Sequence, residues 1–277
     1  MNRLLASIAA PLLITTAHLG LALTAPSAPQ EQSAFDHEHA GLTRVLDAVL
    51  EDGRVDYAAL RKSPRALDAY LAGLEATTPA QHAKWTRDQQ FAFWINAYNA
   101  YTLQLVRDRG PVKSIKKIGG WFTMPWSIEF IGLPAFDPDG DDDDLTLDEI
   151  EHEILRPVFR DARVHAAVNC ASVSCPPLRA EAYRGKDLDE QLDEQVREWL
   201  ADPTRNQLTP KGGKIRVSEI FDWFDEDFGK DRAAIVRWIA DHVGDEALAA
   251  RLRKDAGSLK LKYLDYDWSL NAQKGKR

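Results

Sequence analysis

The chain has 277 residues, 44% hydrophobic and 28% charged, which suits a globular protein with a sizeable core. Net charge is −8, and no Lys/Arg-rich block precedes the short tail Lys274, Lys276 and Arg277, so nucleic acid is excluded as a partner. There is no G-x-S-x-G elbow, H-E-x-x-H zinc motif, P-loop or dinucleotide fingerprint, and no cofactor or metal is expected.

Arg3 precedes a mostly apolar run, Leu4 to Ala25, followed by Ala28 within the Pro/Ser-rich exit Pro26, Ser27 and Pro29. This is the layout of a signal peptide over residues 1–28. It implies a periplasmic or secreted protein, and no later stretch is apolar enough for an integral membrane span in the mature chain. Residues 29–54 read as a linker and an N-terminal helix, with Leu42, Val45, Leu46, Val49 and Leu50 at helical spacing and Gly53 closing it. Asp36-His37-Glu38-His39 reads as solvated charge at a mobile end rather than a metal trap. One globular domain is expected over 55–272, with a helix from Pro64 to Leu74.

Thr86-Arg87-Asp88-Gln89 is a capping box that opens a helix from Phe91 to Val106. That helix is apolar on every side, which predicts a central, buried position. Asn96 and Asn99 sit inside it, three apart, and either pin a neighbouring loop or line a pocket. Trp126 to Ile131 alternates as a short strand. The acidic loop Asp137–Asp144 fails the spacing of a calcium-binding EF-hand and reads as a solvated turn. A second capping box, Thr146 to Glu149, starts a helix carrying Glu151 and His152, where Asp148 lies four residues before His152 and can orient it.

Val164, Ala166 and Val168 alternate with His165, Ala167 and Asn169, which predicts a strand ending at Cys170. On such a strand His165 and Cys170 would stand roughly 16 Å apart on opposite faces. A loop, Ala171 to Ser174, leads to Cys175, Pro176 and Pro177. Helices then follow over Leu188–Leu200, Ile220–Phe224 and Ala233–His242, with strands over Lys214–Val217 and Leu259–Leu264. The mixture lacks a regular βαβ rhythm and predicts an α+β fold.

The two cysteines carry the functional signal. A thiol enzyme needs a nucleophile, a base and a group that orients the base. Cys170 or Cys175 is the candidate nucleophile, His152 or His165 the candidate base, and Glu151, Asp148 or Asn169 the orienter. The favoured set is Glu151–His152–Cys170, with His165 as alternative base and Asn96, Asn99, Asn169 and Cys175 as pocket. The competing reading is a Cys170–Cys175 disulfide in a non-catalytic binding domain, since export permits such a bridge.

Phe93-Trp94-Ile95-Asn96-Ala97-Tyr98-Asn99-Ala100 and His165–Leu178, which reads HAAVNCASVSCPPL, resemble motifs of the bacterial domain of unknown function 547 family. Asp148–His152 and Tyr263–Trp268 look like further family segments, and the likeness runs from about Val55 to Asn271. The resemblance implies a papain-like or transglutaminase-like fold, with a central buried helix packed on a small antiparallel sheet and helices around it. In those enzymes the nucleophilic Cys starts the central helix; here that helix offers Asn96 and Asn99 instead. The implied activity is a thiol hydrolase or acyl/amide transferase acting on a peptide or an envelope-derived small molecule.

Overall fold

The capping box at Thr86 starts the central helix, Arg87–Arg109, in a computed structural model that describes residues 35–120, 123–138, 140 and 143–276. The expected signal peptide and residues 29–34 of the linker lie outside the described residues, as do Asp139, Asp141 and Asp142 of the acidic loop. Thr86 Oγ1 accepts from the Gln89 amide at 3.2 Å and Gln89 Oε1 from the Thr86 amide at 2.9 Å. Every residue from Phe91 to Leu103 is buried, as the all-round apolar pattern predicts. The helices Tyr57–Lys62 and Arg65–Glu75 pack against it, together with the wide-wound π-helix Ile150–Phe159. Burying side chains such as Phe91, Phe93 and Leu103 contributes about 1.5–3 kcal/mol each.

A second apolar cluster surrounds Trp199, Phe221 and Phe228. It takes the inner face of the helices Leu188–Ala201 and Arg232–His242 and the buried residues of a three-stranded sheet, Leu208, Ile215, Val217 and Leu261. In that sheet Gln207–Lys211 pairs antiparallel with Lys214–Val217, which pairs parallel with Lys260–Tyr263. The α+β class is therefore observed, but the sheet is mixed rather than antiparallel, and its buried side chains join a different cluster from those of the central helix.

Three local expectations are corrected. Val164–Ala167 is a helical turn, closed by the Val168 amide on the Val164 carbonyl at 3.0 Å. All six residues from Val164 to Asn169 are buried, so their alternation marks no exposed face and carries no strand information. Trp126–Ile131 forms no strand: Pro125–Ser127 is a 3-10 turn, and only Ile131 bridges to Leu145. The Asp36–His39 segment is not free charge, because His39 is buried with its Nδ1 2.7 Å from the Tyr70 hydroxyl, and His37 packs edge-on against Trp85. Among the described residues no helix is long and apolar enough to cross a membrane.

Candidate active site

The buried amides of the central helix hold the cysteine loop in place. Asn99 donates to the Ala167 carbonyl and accepts from the Asn169 amide, both at 2.9 Å. Asn169 in turn donates to the Pro176 carbonyl at 2.7 Å and accepts from the Ala171 amide at 2.8 Å and from Asn271 at 3.1 Å. Asn96 clamps both backbone groups of Tyr183 at 2.7 and 2.9 Å. These three asparagines therefore do not line the pocket expected for them. Asn99 and Asn169 satisfy each other and the loop, and Asn96 the Tyr183 backbone, because an amide buried among aromatics must find partners or cost about 1–3 kcal/mol.

The loop so held is fixed from two further directions. The chain end runs antiparallel to it, with the Val173 amide on the Ser269 carbonyl at 2.8 Å and the Asn271 amide on the Ala171 carbonyl at 3.0 Å. Arg205 reaches in from the other side, donating to the carbonyls of Cys175 at 2.7 Å and Val173 at 2.8 Å. Ala171 is held at φ 61°, a left-handed conformation that costs a side-chain-bearing residue about 1–3 kcal/mol and sits next to Cys170.

A cavity of about 170 Å³ opens beside this loop. It brings together Cys170, Cys175, Glu151, His152, His165 and Asp148, with an aromatic side formed by Trp126, Trp223, Phe224, Tyr266 and Trp268. The helical turn at Val164–Ala167 is what lets His165 and Cys170 border the same cavity, against the opposite-face separation that a strand would impose.

Both cysteines are free, with their sulfurs 3.2 Å apart. The Cys170 amide donates to Cys175 Sγ at 3.1 Å. The Cys170 thiol is brought down to about 7, first by the hydrogen bond from the Cys175 thiol, against the effect of burial, and then by the hydroxyls of Ser172 at 3.2 Å and Tyr266 at 3.6 Å. Burial and the neighbouring Cys170 push the Cys175 thiol well up, so it stays protonated. The pair is thus split into one activated and one inert thiol. Among the described residues no histidine hydrogen-bonds to Cys170.

The acid–base side has two histidines in different states. Arg156 Nη1 donates to His152 Nδ1 at 3.1 Å, and an arginine can only donate, so that lone pair is taken. His152 Nε2 then faces Asp148 at 4.0 Å. His165 is 2% exposed and stacks on Phe224, with ring centroids 4.2 Å apart. Burial lowers its pKa, against the pull of Asp227, so it is neutral at pH 7 and donates through Nε2 to Asp227 at 2.7 Å. Burial would raise Asp227, but the hydrogen bonds from His165 and Arg156 outweigh it and hold that carboxyl at about 2. His165 Nδ1, its remaining lone pair, lies 3.9 Å from Glu151. The Glu151 carboxyl is pushed up by burial, against His152 and a hydrogen bond from Tyr98, while its side chain keeps 13% exposure to the cleft.

Residues 82–200 match the model of a family described as "Protein of unknown function, DUF547". The matched segment contains the amide clamps, both cysteines, both cleft histidines, Glu151 and Trp126, and it ends before Arg205, Asp227 and the rest of the aromatic wall. No curated protein and no solved structure matches the chain.

Sequence reasoning missed Asp227, Arg205, Tyr98 and the wall of Trp223, Tyr266 and Trp268 as site residues. Asp227 and Arg205 stand in ordinary charged surroundings in the sequence. The dense aromatics of Tyr263–Trp268 were the one visible signal, since a chain end with such side chains must place them on something.

Proposed function

We propose that the cleft is a thiol-dependent acyl or amide transfer site with Cys170 as nucleophile. The observation that carries the reading is the convergence in one cavity of an activated, half-buried Cys170 with Glu151, a carboxyl whose proton affinity burial raises. The Cys170 thiolate attacks the substrate carbonyl carbon. The bond to the leaving amine breaks, and the amine takes the Glu151 proton. Water or an acceptor amine then attacks the thioester and gives its proton to Glu151, and Cys170 leaves as thiolate. His165 backs Glu151 and is fixed in its tautomer by Asp227; His152 sits in the same lining with its Nδ1 committed to Arg156. This assignment moves the acid–base role from His152 to Glu151. The kinship with papain-like thiol enzymes and the action outside the cytoplasm, on peptide or envelope-derived material, belong to the same proposal and rest on the motif resemblance and on the Leu4–Ala25 run.

The test is intact mass after brief alkylation without reductant. One adduct, retained in Cys175→Ala and absent in Cys170→Ser, is the expected result. A second reading, a binding module closed by a Cys170–Cys175 bridge, draws on the 3.2 Å approach of the sulfurs. An unlabelled protein whose mass rises by one hydrogen per cysteine on reduction would select it.

A further inference from the structure

The aromatic wall is assembled from three distant segments around Trp126, Trp223 and Tyr266–Trp268, and the catalytic proposal gives only the Tyr266 hydroxyl a task. Trp223 stacks on Trp268 at 5.5 Å between centroids, and Trp126 stands 5.5 Å from Trp268 on its own side. Trp223 is 42% exposed, although a tryptophan gains much by burial. The wall already holds one cation, because Lys116 Nζ lies 3.6 Å from the Trp268 ring centroid. The cavity lining adds two carboxylates, Asp148 and Glu151, and among the described residues no lysine or arginine. Asp148 is fixed by the Ser127 hydroxyl at 2.6 Å.

From this wall and its charge we propose that the cleft selects acyl or amide substrates bearing an alkylammonium group, seated on the Trp126–Trp223–Trp268 wall near Asp148. The inference rests on the reading of Cys170 as the reacting group but concerns binding alone. A substrate ammonium on the exposed Trp223, or displacing the exposed Lys116 from Trp268, makes the contact that Lys116 already shows, and Asp148 adds a carboxylate in a lining that itself holds no lysine or arginine among the described residues, so an ammonium is drawn in and a carboxylate is repelled. A neutral side chain gains the apolar contact but not the charge.

The experiment is calorimetric titration of the full chain carrying Cys170→Ser, so that no turnover consumes the ligand. The probes are Nα-acetyl-lysine methylamide, the norleucine analogue without the ammonium, and the glutamate analogue. The lysine probe is expected to bind at least about tenfold tighter than norleucine, and glutamate weakest. That advantage should shrink severalfold on adding Trp223→Leu, a change at an exposed position that the fold tolerates, and on adding Asp148→Asn. Norleucine binding as well as lysine would overturn the inference. Preference for lysine alongside a wild-type Cys170 that takes no alkyl group would leave the ammonium site standing and remove the thiol chemistry.

Discussion

Histidines and aromatic rings meet in two regions of this molecule, with opposite consequences. Around Trp85 and Phe93, His37, His39 and His82 pack edge-on or tilted among Phe35, Tyr70 and Phe136. His39 and His82 are held at about 4 by burial, and neither borders the cysteine cavity. In the cleft, His165 instead stacks face to face on Phe224, its ring nitrogens face Asp227 and Glu151, and the cavity beyond holds a thiol. A buried imidazole becomes chemically useful when carboxylates and a cavity surround it; packed among rings alone it is part of the core.

The comparison breaks most sharply at the nucleophile. Cys170→Ser should abolish single-site alkylation and lower any acyl-transfer rate by at least about 10³-fold, while His82→Phe in the other region leaves both unchanged. Stopped alkylation read by mass, followed by rate measurement on a reactive acyl ester, checks this pair. The alkylation rate of the wild type should rise with pH through about 7 rather than through the ordinary thiol value, since the Cys175, Ser172 and Tyr266 donors favour the thiolate.

Asp227→Asn comes next. It frees His165 from its tautomer and leaves Arg156 with Glu226 as its remaining ion partner. The expected loss is about 10–100-fold in rate with a small change in Tm, and a flat rate would remove His165 from the relay.

Asn99→Leu should cost about 2–4 kcal/mol in denaturant unfolding, because it strands the Ala167 carbonyl and the Asn169 amide inside the core. A cost near zero would mean that the loop is held from the chain end and Arg205 alone.

The smallest effect belongs to acid stability. His39 and His82 have folded pKa values of about 4, below their ordinary 6.5, so their contribution is complete above pH 6.5 and is lost as pH falls toward 4. Tm should decline across that window, and His82→Phe should flatten the decline. A Tm independent of pH there would contradict burial of these rings in the neutral form.

The capping box at Thr86, the all-round burial of the central helix, the helix after Asp187 and the strands at Lys214 and Lys260 were all legible as local pattern, while the central helix runs Arg87–Arg109, beyond both ends of the Phe91–Val106 pattern. The structure places Cys170, Cys175, Glu151, His152 and His165 around one cavity, and residues 82–200 match the family that the Phe93–Ala100 and His165–Leu178 motifs resemble. Periodicity failed at Val164–Asn169, where burial on all sides erases the face that alternation is meant to mark.

What the sequence determined by itself is what neighbours in the chain set: caps, the apolar pattern and which reactive side chains exist. Which lone pair each histidine keeps free, and whether an asparagine lines a cavity or clamps a loop, was decided only by tertiary structure. Those outcomes depend on Asp227 and Asn271, at 62 and 102 positions from the groups they hold, and on Asp227 and Glu226, some 70 positions on, which fix Arg156 against its helix neighbour His152. Hydrogen bonds and burial act over a few ångströms of space, and only the folded chain says which residues share that space.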